Sequence, residues 1–171
     1  MVNNRTGQLD LKAMDDNTTG YMLPVLGDLL EFPGYLMRRA HQIANAEFAA
    51  RVDPKEITGV QFMALVAILD EEAATSGLVA ERIGYDKTTT GQVIHRLEEK
   101  GLVTRRSGTR DRREKIVTDL PKGRALARRI KKLLPAVADD LLSPLNRDEQ
   151  IQLLHLLRRL DLHNRRASPG K

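Results

Sequence analysis

Apolar residues recur at helical spacing along most of the chain, beginning after a polar stretch at the amino terminus. Residues 1–23 show no periodicity, so we predict a flexible arm there. From Leu29 to Arg51 the apolar positions follow one helical stripe, and Pro33 suits the first turn, where its missing N–H is not needed. After the loop "VDPKEIT", Thr58 is predicted to cap a second helix.

Two short helices then follow in close succession. The first runs from about Thr75 to Ile83 and stops at Gly84. Asp86 is predicted to cap the second, "KTTTGQVIHRLEEK", which ends at Gly101. A tight turn containing glycine between two short helices is typical of the helix-turn-helix motif.

The segments after this motif have strand character and then become helical again. "GLVTRR" and "EKIVTDL" carry β-branched residues on either side of a Ser-Gly turn, which predicts a β-hairpin and hence a winged helix. One long helix is predicted from Pro121 to Leu142, bent at Pro135. Asn146 and Glu149 have the spacing of a capping box that opens a last helix.

The last helix contains more apolar residues than one buried face requires. They are Ile151, Leu153, Leu154, Leu156, Leu157, Leu160 and Leu162. A second copy of the chain would bury this surplus most simply. We therefore predict a mainly α fold with a minor α+β component, a winged helix-turn-helix whose N- and C-terminal helices form a dimerisation region. The predicted divisions are 1–23 (arm), 24–57 (first dimerisation helix and loop), 58–119 (winged helix), 120–166 (C-terminal dimerisation helices) and 167–171 (tail).

Positive charge is concentrated in one part of the chain. Between Lys87 and Lys132, fifteen Lys and Arg residues stand against five Asp and Glu residues, although the whole chain has a net charge of only +5. Such a local excess favours a face that binds a polyanion. A highly charged surface that is merely solvated is the alternative.

The second short helix of the motif separates into two faces. Thr90, Val93, Ile94 and Leu97 share the helical stripe that is predicted to face the core. The outward positions are Lys87, Thr88, Thr89, Gln92, His95 and Arg96. Hydroxyl and amide groups suit base edges, and Lys and Arg suit phosphates, so these residues are candidates for DNA binding. Gly91 on the same side would let the backbone approach DNA closely. An ordinary solvated helix face is the alternative.

The predicted hairpin carries arginine at its tip and along its first strand. Arg110, Arg112 and Arg113 lie at or beside the tip, and Arg105 lies on the rising strand with Arg106. A wing that points along a duplex would place these cations at the backbone or a minor groove, where negative potential attracts arginine. Asp111 either orients Arg113 through an ion pair or stabilises the turn, and both interpretations remain open.

Several classes of protein are excluded or disfavoured by the composition. The chain has no cysteine, which excludes disulfides, thiolate catalysis and thiol sensing. The start lacks the apolar core of a signal peptide, and the longest apolar run is too short to cross a membrane, so we predict a cytoplasmic protein. The four histidines lack metal-ligand spacing and no catalytic constellation is present, so neither enzyme activity, cofactor nor metal is predicted.

Residues 78–126, "LVAERIGYDKTTTGQVIHRLEEKGLVTRRSGTRDRREKIVTDLPKGRAL", resemble the core of MarR-family transcriptional regulators. The matching features are "AERIG", the Asp-capped helix, "LEEKGLV", the Asp-x-Arg of "DRR" and the Leu-x-x-Gly after the wing. The resemblance extends over about residues 28–165, where "GYLMRRAHQI" and the leucine-rich last helix fit the family's dimerisation region. It implies a homodimeric regulator of double-stranded DNA, usually a repressor, that reads a pseudo-palindromic operator.

The resemblance also assigns roles to individual residues and shows one departure. It implies that Arg113 enters the minor groove and that Asp111 holds it. Where the family usually has a threonine that caps the next helix, this chain has Pro121. Loss of that cap would cost about 1 kcal/mol unless Asp119 substitutes for it.

In the resembled family, small aromatic acids or acyl-CoA thioesters bind between the dimerisation helices and the winged helix. Tyr35, Arg39 and His41 are the effector-binding candidates, because arginine can hold a carboxylate beside aromatic side chains. Alternatively, the arginines of this helix are solvated or pair across the dimer. A winged-helix protein-interaction module and a constitutive regulator without an effector are the alternatives for the whole protein.

Overall fold

A computed structural model of the chain describes residues 32–107 and 115–167. The chain divides into two compact units between Ala40 and His41, within the first helix. The predicted arm, residues 24–31, the tip of the hairpin and residues 168–171 lie outside the described residues. The elements are α1 (Pro33–Arg51), α2 (Gly59–Leu69), β1 (Ala74–Thr75), α3 (Ser76–Ile83), α4 (Lys87–Glu99), β2 (Val103–Ser107), β3 (Lys115–Asp119), α5 (Pro121–Lys131), α6 (Leu134–Leu142) and α7 (Arg147–Ala167).

The first helix begins at Pro33, the position at which the sequence tolerates a proline. In the first unit, the guanidinium of Arg38 lies over the ring of Tyr35, 5.7 Å from its centroid. Leu36 and Ile43, which belong to the predicted apolar stripe, are about half exposed, whereas Phe48 is buried. The stripe of α1 is therefore apolar along its length but buried within the chain only near its carboxyl end.

The second helix is the centre of the core of the second unit. The Thr58 hydroxyl accepts a hydrogen bond from the Gln61 N–H at 3.4 Å, and Gln61 Oε1 accepts one from the Thr58 N–H at 3.2 Å. This reciprocal capping box confirms Thr58 as the N-cap. Five of the eleven residues of α2 are buried, namely Phe62, Ala64, Leu65, Ala67 and Ile68.

The helix-turn-helix is formed by α3 and α4, and the predicted cap at Asp86 is confirmed, whereas Thr75, predicted as the approximate start of the first of these helices, is its N-cap. The Thr75 hydroxyl accepts from the Leu78 N–H at 3.2 Å, and Asp86 Oδ1 accepts from the Thr89 N–H at 2.8 Å. Gly84 ends α3 with a φ of 69°, a conformation that L side chains rarely adopt. The chain therefore leaves α3 and enters α4 within three residues.

The prediction for the core-facing side of α4 is confirmed. Thr90, Val93, Ile94 and Leu97 are all buried. Val93, Ile94 and Leu97 pack into one cluster with residues of α2, the sheet and α5, including Leu65, Val117 and Ile130. Because the apolar face of α4 is fixed in this way, its opposite face must point away from the core.

A three-stranded antiparallel sheet completes the winged helix. The strand order is β1-β3-β2, and β2 pairs with β3 from Val103 opposite Asp119 to Ser107 opposite Lys115. The predicted hairpin is confirmed. The strand β1 was not predicted, because two residues are too few to show an alternating pattern.

The prediction of one long helix from Pro121 to Leu142 is wrong. The segment forms two helices, and the chain leaves the first after Lys131 and begins the second at Leu134. The ring of Pro135 would clash with the carbonyl of Lys131 in a continuous helix, and proline has no N–H to donate to it. The proline is therefore accommodated in the first turn of α6 instead of bending a single helix.

Asp119 does not cap α5. The N-cap position is occupied by Leu120, which makes no side-chain capping bond. The Asp119 carboxylate instead accepts a hydrogen bond from Arg124 Nε, and this pairing raises the pKa of Arg124. The capping box of the last helix is confirmed, because Asn146 Oδ1 accepts from the Glu149 N–H and Glu149 Oε2 accepts from the Asn146 N–H.

The start of α5 lies directly against the backbone of the residue that precedes β2. Leu102 is buried, and its carbonyl accepts a hydrogen bond from the Leu120 N–H at 3.0 Å. A Cβ built on Gly123 would lie 2.2 Å from the same carbonyl oxygen and 3.2 Å from Leu65 Cδ1. Only glycine allows this contact, which gives the Leu-x-x-Gly motif a physical reason.

We expect Gly123→Ala to lower the free energy of unfolding by about 3 kcal/mol, because the nearest contacting atom is a backbone oxygen, which cannot move aside as a flexible side chain can. Chemical denaturation monitored by circular dichroism measures this change. Gly77→Ala is the matched control, since a Cβ at Gly77 would meet only Thr75 Oγ1, at an ordinary 3.8 Å. Equal stability of the two variants would contradict the close contact at Leu102.

Candidate nucleic-acid interface

The outward face of α4 presents most of the side chains that the sequence selects. Lys87, Thr88, Gln92, His95 and Arg96 are all exposed. They lie on the side opposite the buried stripe, so one rigid helix displays an ammonium, a hydroxyl, an amide, an imidazole and a guanidinium. This set can reach both phosphates and base edges.

Thr89 has a more restricted position than its neighbours. It is partly buried, and its hydroxyl donates to Asp86 Oδ2 at 2.6 Å. This hydrogen bond, together with the one from the Thr89 N–H, lowers the pKa of Asp86. The Asp86 carboxylate thus remains charged at the N-terminus of α4. Because the Thr89 hydroxyl already donates its hydrogen to this carboxylate, it can only accept a further hydrogen bond.

Arg105 is held in place by a carboxylate of α4. Its Nε donates to Glu98 Oε2 at 2.8 Å, and its backbone N–H donates to Glu98 Oε1 at 3.1 Å. The hydrogen bonds from Arg105 are the main reason that the pKa of Glu98 is lowered. The first strand of the hairpin is therefore tied to α4 by both backbone and side chain.

Two of the outward side chains share one acidic partner. Arg96 Nη1 lies 2.9 Å from Glu99 Oε2, and His95 Nε2 lies 3.4 Å from Glu99 Oε1. His95 Nδ1 is also 3.3 Å from Arg105 Nη2. Because these groups are exposed, the pairs orient the cations more than they stabilise the fold.

The structure describes the base of the hairpin. Arg106 is exposed on β2, and Lys115 Nζ donates to Ser107 Oγ at 3.2 Å across the two strands. The predicted tip residues Arg110, Asp111, Arg112 and Arg113 lie outside the described residues. The hairpin base is thus anchored beside α4, and the roles of the tip residues stay predictions.

A cavity of about 390 Å³ lies in the second unit, beside the helix-turn-helix. Apolar groups dominate its lining, and its residues include His41, Asn45, Phe48, Thr58, Met63 and Tyr85. His41 Nε2 is 3.0 Å from Asn45 Nδ2, so one polar pair lies on a mostly apolar wall. A volume of this size suits a small ring compound.

The effector candidates from the sequence are divided between the two units. His41 lines the cavity, whereas Tyr35 and Arg39 lie in the first unit, where Tyr35 stacks with Arg38. Sequence reasoning missed Asn45, Met63 and Tyr85. Tyr85 could have been noticed, since it directly precedes the cap of α4, but no spacing rule relates it to α1 or α2.

A second feature that sequence reasoning missed is the position of Lys100 at the end of α4. Its Nζ donates to Glu56 O at 2.9 Å, to Lys55 O at 3.1 Å and to Gln61 Oε1 at 3.1 Å. Gln61 is the capping partner of Thr58, which lines the cavity. Tyr85 lines the cavity at the other end of α4, so both ends of this helix are connected to the cavity wall.

Other types of site are not found in the described part of the chain. Within residues 32–107 and 115–167 no group of three or more acidic or histidine side chains could hold a metal ion. No helix among those residues has both the length and the apolar character needed to span a bilayer.

Comparisons with known proteins agree with this geometry. The MarR family model matches residues 56–114. The repressor NicR of Pseudomonas putida is 27% identical over 133 residues, which cover 78% of this chain and 84% of NicR. The structure of Bordetella bronchiseptica BpsR, whose DNA binding is regulated by 6-hydroxynicotinic acid, is 30% identical with a TM-score of 0.72, covering 77% of this chain and 94% of BpsR. The repressor CouR bound to a 23-mer DNA duplex is also 30% identical, with a TM-score of 0.70, covering 80% of this chain and 97% of CouR.

We expect Glu98→Gln to destabilise the protein at neutral pH by up to about 1 kcal/mol, as for an exposed ion pair. Because folding lowers the pKa of Glu98, its contribution is complete above the ordinary value of 4.5 and is lost as pH falls through the folded-state pKa. The stability difference between wild type and variant should therefore shrink below about pH 4.5. Urea denaturation across this pH range measures it, and Glu81→Gln, an exposed change on α3, should show no such trend.

Proposed function

Because the chain belongs to the MarR family of transcriptional regulators, we propose that it is a homodimeric repressor which a small aromatic acid releases from a pseudo-palindromic operator. Its class is that of a DNA-binding regulator. The observation that carries the proposal is the outward face of α4, where cations and base-reading polar groups stand on a helix fixed by four buried residues.

The outward side chains of α4 divide into two proposed roles. Thr88 and Gln92 read base edges in the major groove, and Lys87 and Arg96 bind phosphates. Arg105, tied to Glu98, holds the hairpin against α4 and adds positive charge beside the backbone. For Arg110, Arg112 and Arg113 we propose contacts with a minor groove, and Asp111 is their neighbour in the sequence. The assignments on α4 follow the charge and exposure of each residue, and those at the tip of the hairpin follow the residue types and their positions in the sequence.

A dimer is supported by the apolar surface of α7. Ile151, Leu154, Leu156, Leu157, Leu160 and Leu162 are each between 44% and 56% exposed in the single chain. Such a row is costly in water and is characteristic of a helix that packs against another subunit. A two-fold dimer would place two copies of α4 in successive major grooves, about 34–36 Å apart.

An aromatic acid is the effector class that the cavity favours. Its volume and apolar lining suit one aromatic ring, and the His41–Asn45 pair offers a hydrogen-bonding group for a carboxylate or hydroxyl. The regulation of BpsR by 6-hydroxynicotinic acid points to the same class of compound. The nucleotide and long arm of an acyl-CoA thioester would have to extend far outside this space.

The release mechanism follows from the connections of α4. A ring bound in the cavity would contact Tyr85, which precedes the N-cap Asp86, and Thr58, which is linked through Gln61 to Lys100. Binding would thus favour a different placement of both ends of α4. A small change in each protomer alters the spacing of the two copies and shifts the population away from the DNA-bound geometry.

We expect the purified protein to bind DNA from upstream of its own gene more tightly than a scrambled duplex, measured by fluorescence anisotropy. Lys87→Met should weaken binding to both duplexes and reduce the slope of log affinity against log salt by about 1. Gln92→Ala should instead reduce discrimination between them by about 1–3 kcal/mol, because it removes a base-reading amide.

The charge-matched control for Lys87→Met is Lys132→Met, an exposed change after α5 that should leave the salt slope unaltered. Weak, equal binding of the wild type to both duplexes, with no effect of either α4 substitution, would refute the DNA-binding role of this face. A search for a protein partner would then be the next step.

We also expect 6-hydroxynicotinic acid, or another hydroxylated single-ring acid, to raise the melting temperature and to weaken DNA binding. His41→Gln should reduce the affinity for the acid by about tenfold, the effect of losing one good polar contact. Isothermal titration calorimetry measures it, with His155→Gln on α7 as the control.

If neither 6-hydroxynicotinic acid nor another hydroxylated single-ring acid changes the affinity for DNA, the result would favour a constitutive regulator. An acid that binds equally to the wild type and to His41→Gln would show that the effector site lies elsewhere.

A further inference from the structure

Glycine is, after proline, the least favourable residue in the interior of a helix, so its presence there needs a reason. At three described glycines, two of which lie at helix ends, the chain itself supplies a reason for glycine. Gly84 and Gly101 have positive φ angles of 69° and 66°, and Gly123 packs directly on the carbonyl of Leu102. Gly91, within α4, shares none of these features.

The described chain does not itself require glycine at position 91. The backbone there does not adopt the left-handed conformation, since Gly84 and Gly101 are the described glycines with positive φ. A Cβ built on Gly91 would meet no described atom within 4 Å. Alanine would therefore fit without strain and would favour the helix more strongly.

The surroundings of Gly91 indicate what needs the space. On the helix surface its neighbours at i−4, i−3 and i+4 are Lys87, Thr88 and His95, and all three are exposed. Gln92, adjacent in sequence, is exposed as well. The missing side chain thus leaves a methyl-sized notch on the side of the polar face of α4 that adjoins the buried Ile94 at i+3.

We infer that Gly91 is a specificity-determining residue at which the DNA duplex takes the place of a side chain. Without a Cβ, the backbone of α4 comes close enough for a base edge to enter the notch between Thr88 and His95. The C5-methyl group of thymine projects into the major groove and has the size of the missing group. The inference rests on the proposed DNA-binding function and assigns a base contact to a residue without a side chain.

The first test is Gly91→Ala, examined for stability and for binding to the upstream duplex. The melting temperature should rise, since alanine favours the helix, while the affinity for DNA should fall by about tenfold or more. The salt slope should not change, because no charge is removed. Gly77→Ala adds the same methyl group to α3 and should retain full DNA binding.

The second test identifies the group that occupies the notch. Thymines of the bound duplex are replaced one at a time by uracil, which lacks the C5-methyl group. At one position in each half-site, uracil should weaken binding of the wild type and restore binding of the Gly91→Ala variant. Restoration by removal of a methyl group cannot arise from altered folding.

The outcomes separate this inference from the function on which it rests. A wild type that prefers no duplex would overturn both. A wild type that binds specifically, with Gly91→Ala binding within twofold of it, would overturn the inference and leave the DNA-binding function intact. Lost binding that no uracil restores would overturn the assignment to a thymine methyl.

Discussion

The arrangement of the winged helix depends on the packing around one buried residue, Leu102. Its N–H donates to the Leu97 carbonyl and ends α4, while its own carbonyl accepts from the Leu120 N–H and receives the start of α5 at Gly123. Helix α4, the hairpin and the C-terminal helices therefore meet at a single backbone position. Because close-packed backbone cannot yield as a side chain can, the orientation of α4 relative to α5 is tightly constrained.

The basic surface around α4 is stabilised by a few carboxylates of the same region. Glu98 fixes Arg105, Glu99 pairs with Arg96 and lies beside His95, and Asp119 binds Arg124. These pairs are exposed or partly exposed, so each adds little to stability, but each limits the orientations of a cation. Lys87 and Arg106 remain exposed, so the region keeps a positive excess directed at solvent. Orientation of charge before binding reduces the entropy that a DNA complex would lose.

Both ends of α4 are connected to the wall of the cavity through only a few residues. Tyr85 and Thr58 line the cavity, and the three hydrogen bonds of Lys100 join the other end of α4 to the loop before α2. A ligand need not act through a long chain of side chains, since it would contact the supports of α4 directly. A ligand that moves these residues would also move α4, which they hold in position. Ligand binding and DNA binding would then depend on the same residues, which is the condition for coupling them.

Local chemistry determined much of the fold from the sequence by itself. The caps at Thr58, Asp86 and Asn146, the stop at Gly84 and the two faces of α4 each depend on residues close in sequence, so spacing rules identify them. The role of Asp119, the strand β1, the cavity and the bonds of Lys100 were decided by the tertiary structure. These features join residues far apart in the chain or choose between competing partners, and burial and distance in the folded protein settle that choice.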